Sequence, residues 1–337
     1  MTSPPVSSNV PNLESLIDAI TKAGAKIQEV YDTDFEVIKK DDNSPVTKAD
    51  LESNKILRSV LEKTGIPILS EEDEDDKSRL ESEKVWIVDP LDGTQDFVNR
   101  TGEFTVLVGL VENQIPVMGL VYLPTKKILY YGEKGLGAFC YKSEKWEKIS
   151  VRDVRNLKEC LALVSRHHLS DKEKQLLKDL EISKTAQIGS TLKVMEVAAG
   201  RADIYLTTTT KMHQWDTAAS WCIISEAGGK MTNLLGNELI YNTDNIFHLD
   251  GLLISNGFVH DIASSKISDS NIVSKEDVRH ELLMDIKRIE GVLERIDIAI
   301  KKHNDDKMDA ELTILKMKSE LENIRKIIPH MNGFLQE

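Results

Sequence analysis

Hydrophobic positions follow helical spacing at both ends of the chain and strand-like runs between them. From Asn12, read as a helix N-cap, apolar or small residues recur at Leu13, Leu16, Ile17, Ile20, Gly24, Ile27 and Tyr31, the spacing of one helical face. Ala23 and Gly24 leave room there for a close neighbour. A polar connection over Lys39–Pro45 leads into a second helix carrying Leu51, Ile56, Leu57, Val60 and Leu61. Pro67-Ile68-Leu69-Ser70 reads as a short strand and runs into six consecutive acids, Glu71 to Asp76. Asp73 to Asp76 are expected in a solvated loop, whereas Glu71 directly follows the strand.

Val85 to Val88 are four apolar, β-prone residues, enough for a short buried strand. The strand delivers Asp89-Pro90-Leu91-Asp92-Gly93-Thr94, in which proline and glycine force a turn. Thr94 is placed to open a helix whose free N–H groups can receive a phosphate. Thr105–Val111 and Val117–Leu123 flank a hairpin signal, Glu112-Asn113-Gln114, and Ile128–Tyr131, Gly137–Tyr141 and Trp146–Ile149 continue a meander. A second half starts near Ser150. It holds a strand (Leu161–Val164), a polar helix from Ser170, a longer helix near Thr191–Ala199 and a strand (Ala202–Leu206). A helix over Asp216–Ala227 follows, with Gly228-Gly229 as its stop, then strands near Leu239-Ile240 and Leu252–Ile254. Mixed strands and helices in two halves predict a layered α+β architecture with its site between the halves. The expected divisions are a loose tail over 1–11, halves over 12–150 and 151–270, and an extension over 274–337.

The extension is another kind of sequence. Leu282, Ile286, Ile289, Leu293, Ile296 and Ile300 are spaced 4, 3, 4, 3, 4, and Ala310, Ile314, Met317, Leu321, Ile324 and Ile328 repeat that spacing. Two heptad seams joined by the polar Lys301–Lys307 predict an antiparallel α-helical hairpin of coiled-coil type, ended by Pro329. It carries no visible chemistry. A homo-oligomer paired through it is expected.

Composition narrows the chemistry. The chain has 337 residues, 40% of them hydrophobic, and a net charge of −13, which argues against binding a nucleic acid polymer. No stretch approaches ~20 consecutive apolar residues, so no membrane span is expected. The polar, Pro/Ser-rich start lacks the pattern of a secretory signal. Three widely spaced cysteines, Cys140, Cys160 and Cys222, fit reduced thiols in a cytoplasmic protein. The eight histidines show no ligand spacing, so any metal here is expected to be a hard, oxygen-ligated one.

The acids at strand ends supply such ligands. Glu71, Asp89 and Asp92 converge if their strands are neighbours, and Asp216 stands apart in Trp215-Asp216-Thr217-Ala218-Ala219. Taken singly, Asp-x-x-Asp-Gly is equally a turn and Asp216 an N-cap.

Together the pieces resemble a family. Ser70-Glu71-Glu72, Asp89-Pro90-Leu91-Asp92-Gly93-Thr94-Gln95-Asp96-Phe97, Trp215-Asp216-Thr217-Ala218-Ala219 and Glu226-Ala227-Gly228-Gly229 look like the inositol monophosphatase superfamily over roughly Asn12 to His260. The resemblance implies an αβαβα sandwich of the inositol monophosphatase and fructose bisphosphatase type, and a magnesium-dependent, lithium-sensitive phosphatase. Asp42 to Asp50, Ser165-Arg166-His167-His168, Gly189-Ser190-Thr191-Leu192-Lys193 and Gly200 to Tyr205 are most similar to the 3′(2′),5′-bisphosphate nucleotidase branch. One departure stands out: where that branch often carries an arginine just after the Tyr205 strand, this chain has Thr207 to Thr210 and then Lys211.

Carried over by position, the resemblance implies that Glu71, Asp89 and the Leu91 carbonyl hold one Mg2+. Asp89 bridges to a second, completed by Asp92 and Asp216, and a third ion sits near Glu71 with mostly water ligands. Magnesium keeps waters and needs only a few carboxylates plus substrate phosphate. Thr94, bonded to Asp50, orients and deprotonates the attacking water. Gly93 and Thr94 receive the phosphate, and Ser190, Lys193 and His168 meet the rest of a small phosphorylated metabolite. The implied reaction is hydrolysis of the 3′-phosphate of adenosine 3′,5′-bisphosphate. The same metals would serve inositol 1-phosphate or fructose 1,6-bisphosphate, and an idle scaffold using the hairpin is the reading from another class.

Overall fold

The computed structural model describes residues 4–6, 8, 10, 12–35, 37–39, 45–166 and 169–270. The chain forms α1 (Leu13–Tyr31), β1 (Val37–Lys39), β2 (Pro45–Thr47), α2 (Lys48–Leu61), β3 (Ile68–Ser70), β4 (Lys84–Asp92) and α3 (Thr94–Val98). The meander follows: β5 (Thr105–Glu112), β6 (Ile115–Leu123), β7 (Ile128–Glu133), β8 (Gly137–Lys142) and β9 (Lys145–Ile149). Next come β10 (Leu161–Ser165), α4 (Asp171–Asp179), β11 (Lys184–Ile188), α5 (Leu192–Ala198), β12 (Ile204–Thr207), β13 (Met212–His213) and α6 (Gln214–Glu226). The described chain ends with β14 (Lys230–Thr232), β15 (Phe247–His248), β16 (Leu252–Ser255) and α7 (His260–Asp269).

β3 to β9 make a seven-stranded sheet in sequence order, antiparallel except that β3 runs parallel to β4. A five-stranded mixed sheet has the order β11-β10-β12-β16-β14. On β4, Trp86 and Val88 pack with α1 and α2, while Val85 and Ile87 join the core of α5, α6 and the second sheet. Both faces are covered at the centre of the sheet, which is why β4 to β7 read as unbroken apolar runs rather than alternating ones. α7 packs on β16 beyond the second sheet. The result is an α+β sandwich.

The seat of α6 fixes the site. Gly109, Gly119 and Gly132 stand opposite one another on β5, β6 and β7. A Cβ at Gly119 would lie 2.8 Å from the carbonyl carbon of Ala219, and one at Gly132 2.8 Å from Ile223 Cα. Three adjacent glycines thus form a track on which the α6 backbone lies directly against the sheet.

Several expectations need correction. Asn12 precedes α1 but is left-handed (φ 57°) and makes no side-chain cap. Leu51 is exposed on α2. The acidic loop is only partly solvated: Asp73 pairs with Arg58 Nη1 at 2.6 Å, and Asp75 takes Nε and Nη2 of the buried Arg79 at 3.0 and 2.8 Å. Opposite charges pull those two acids inward. α5, with seven residues, is shorter than the nine-residue α4. No strand forms at Leu239-Ile240; a single bridge joins Thr232 and Glu238 instead. The expected hairpin over 274–337 lies outside the described residues.

Candidate metal and active site

Glu71 and Asp89 meet because β3 and β4 are parallel neighbours in register, with Ser70 opposite Val88. The Glu71 amide donates to the Val88 carbonyl at 3.2 Å. Asp89 is 1% exposed, and its Oδ1 accepts the Leu91 N–H at 2.9 Å across the proline turn. Burial, and then Glu71, Asp92 and Asp216 beside it, hold the Asp89 carboxyl well above the usual carboxylate range. Asp92 ends β4. Its Oδ2 accepts Thr105 Oγ1–H at 2.8 Å and the Thr191 N–H at 2.6 Å. Burial and the Asp216 charge push it upward despite those donors.

Asp216 comes from the far side. α6 starts two residues earlier than expected, so Asp216 is its third residue, and its Oδ2 accepts the His213 N–H at 2.6 Å. One oxygen from each of Asp89, Asp92 and Asp216 lies within 4.8 Å of the others. Acids crowded and buried in this way repel one another, and a hard divalent cation among them would relieve that repulsion with the oxygen ligands it prefers. The donor set therefore fits magnesium.

Thr94 opens α3 next to this cluster. Its Oγ1 lies 3.2 Å from the Leu91 carbonyl and 3.3 Å from Asp50 Oδ1, so its one proton has two acceptors. Asp50, 1% exposed, also accepts Thr47 N–H and Oγ1–H through Oδ2 at 2.8 and 2.7 Å. Burial raises its pKa to about 6 against those hydrogen bonds. Gly93 is left-handed (φ 87°), and a Cβ there would lie 2.9 Å from Ser190 Cβ, so Ser190 walls the same pocket.

Lys193 is buried beside the Ser190 loop. It is 7% exposed, with Nζ donating to the Ser190 carbonyl at 2.8 Å and lying 5.1 Å from the Tyr205 ring centroid. Burial lowers its pKa, opposed by Asp92, Asp96, Glu103 and Glu173. Its ammonium ties α5 to the loop through the Ser190 carbonyl. His168 lies outside the described residues.

The sequence reading gave no role to Thr105, Thr191, Glu103 or Arg166, although Thr191 and Arg166 stand within motifs quoted for the resemblance. Arg166 Nη2 donates to both Glu103 carboxylate oxygens at 2.8 Å, and Glu103 Oε2 accepts the Gly189 N–H at 2.7 Å. The available signal was Glu103-Phe104-Thr105, a polar entry into β5, whose Thr105 pairs with Asp92 in register.

A two-sheet α+β sandwich in which strand-end and helix-start acids meet in one cluster offers the oxygen ligands that metal-assisted phosphate chemistry uses. The Inositol monophosphatase family model matches residues 10–263, and the chain belongs to that family. It is 36% identical to the 3′(2′),5′-bisphosphate nucleotidase CysQ of Salmonella typhimurium over 248 residues, 72% of this chain and 99% of that one. The crystal structure of CysQ from Bacteroides thetaiotaomicron, a bacterial member of the family, superposes with a TM-score of 0.65 at 34% identity, covering 73% of this chain and 97% of that chain. An IMPase of Thermotoga maritima gives a TM-score of 0.66 at 27% identity, over 78% and 98%.

Proposed function

We propose that the chain is a magnesium-dependent phosphatase that removes the 3′-phosphate of adenosine 3′,5′-bisphosphate, leaving AMP and inorganic phosphate. The observation that carries the reading is the meeting of Asp89, Asp92 and Asp216 from two separate parts of the chain. Similarity to relatives named as bisphosphate nucleotidases supports the substrate. Glu71, Asp89 and the Leu91 carbonyl would hold one ion, and Asp89, Asp92 and Asp216 a second, with a third near Glu71. Bound magnesium supplies a Lewis acid for the phosphoryl oxygens and lowers the pKa of the attacking water.

The chain's own residues do the rest. Asp50, anchored by Thr47, accepts the Thr94 proton and leaves the Thr94 oxygen free to accept one from water. Ionised Asp50 is required for that relay. Gly93 and Thr94 offer their N–H groups to the phosphate, with Ser190 on the opposite wall. The division into halves at about residue 150, the cytoplasmic location and pairing of copies through 274–337 belong to the same proposal. No helix among the described residues is long and apolar enough to cross a membrane. The test is phosphate release from a panel of nucleotide, inositol and sugar phosphates with magnesium and with a chelator. Release that survives chelation, or absence of release from every nucleotide, would reject the proposal.

A further inference from the structure

We propose that Arg166 is a positioning residue for the metal site. Clasped to Glu103, it fixes the loop from Gly189 to Thr191, whose backbone holds the Asp92 carboxylate. The inference rests on the metal reading above.

Arg166 follows β10 on the second sheet, and Glu103 lies just before β5 on the first. Their ion pair therefore ties the two sheets together. The Arg166 side chain is 32% exposed and that of Glu103 25%, so part of the pair is shielded from water, where charge-assisted hydrogen bonds keep their strength. Arg166 Nε lies 3.9 Å from Asp96 Oδ1 and has no hydrogen-bond partner among the described residues. The guanidinium thus faces two acids. It holds the Glu103 carboxylate aimed at the Gly189 N–H, 2.7 Å away.

The loop has little freedom. A Cβ on Gly189 would run into the Asp96 carboxyl group, and Ser190 is left-handed (φ 50°). One residue on, the Thr191 N–H donates to Asp92 Oδ2 at 2.6 Å and Thr191 Oγ1–H to the Asp216 carbonyl at 3.1 Å. Glu103 grips the loop at one end and the proposed ligands grip it at the other. If the Glu103 end is released, Asp92 loses one of the two donors that fix Oδ2, and the carboxylate can turn. Partners that orient ligating groups in this way typically account for about 10–100-fold in metal affinity or activity. A purely structural ion pair between sheets would leave the loop and the metal untouched.

The test uses the full chain with Arg166→Met, Arg166→Lys and Glu103→Gln. Magnesium binding is followed by titration calorimetry, and amide exchange over residues 186–192 by mass spectrometry. Arg166→Met should weaken magnesium binding about tenfold and speed exchange in that segment selectively. Arg166→Lys should recover part of both. Glu103→Gln keeps an acceptor for Gly189 and should be milder than Arg166→Met. Unchanged magnesium affinity with unchanged local exchange would overturn the inference, as would exchange rising evenly over the whole chain. A parent protein that binds no magnesium would reject the metal reading instead, while the exchange measurement still judges the clasp.

Discussion

Gly119→Ala tests how Asp216 is held in place. The added Cβ would lie 2.8 Å from the Ala219 carbonyl carbon, 3.0 Å from its Cα, and nearer still to its oxygen. These are backbone atoms of α6, so no side-chain rotation relieves the overlap. The helix must lift from the glycine track by on the order of 1 Å, and overpacking of this kind costs about 1–3 kcal/mol. At about 2–4 °C per kcal/mol for a domain of this size, Tm should fall by about 2–12 °C. Because Asp216 is in the first turn of α6, the same displacement moves a proposed ligand. Misplacement by about 1 Å can cost about a hundredfold in rate. Calorimetry and kcat/KM at saturating magnesium measure the two effects. Ala219→Gly in the same protein should not rescue either, since it removes only a side chain. A variant with parental Tm and activity would refute the argument that this track seats the helix.

Asp89→Asn and Asp216→Asn should each lower turnover about a hundredfold or more, roughly 3 kcal/mol, and millimolar lithium should inhibit the parent; full activity in either variant would contradict the ligand assignment. Without magnesium the parent's Tm should fall as pH rises and the buried Asp89, held well above the usual carboxylate range, is forced to ionise, and Asp89→Asn should flatten that fall; an equal fall in both proteins would contradict that. Asp50 is protonated below about 6 and cannot then accept the Thr94 proton, so kcat should fall as pH drops through that value. Its raised pKa makes the same group a source of stability below the ordinary carboxylate range, lost as pH rises through about 6; an acid limb unaltered in an Asp50→Asn variant would refute its role. Truncation before Ser274 should leave metal-dependent activity intact and reduce the mass seen by light scattering, whereas an unchanged subunit count would remove the pairing proposal.

The centre of the first sheet, β4 to β7, was legible because these strands are buried on both faces and announce themselves as apolar runs. The acids were legible for a related reason: a carboxylate directly after a buried strand has few bland explanations once two such strands are neighbours. β11 escaped notice because Lys184-Thr185-Ala186-Gln187-Ile188 is an edge strand, half exposed and polar. Leu239 looked like strand but is buried in a loop, an apolar anchor without period. The Arg166–Glu103 clasp was out of reach, since the two residues are 63 positions apart and nothing in the motif around Arg166 points to Glu103 as its partner. The burial of Lys193 was not legible: helical spacing from Ser190 predicts a shared face, whereas Ser190 stands before α5 in left-handed backbone. The glycine track was visible only as three separate glycines until sheet register aligned them.

The most direct measurement is the ratio of kcat/KM for adenosine 3′,5′-bisphosphate to that for inositol 1-phosphate at saturating magnesium, with the nucleotide product identified. A second phosphate recognised by one charge-assisted contact is worth about 1.5–3 kcal/mol, so the nucleotide should be favoured by roughly tenfold to a hundredfold, the product should be AMP with its 5′-phosphate retained, and chelation should abolish both reactions. Equal efficiencies, a preference for inositol 1-phosphate, or release of the 5′-phosphate would contradict the account.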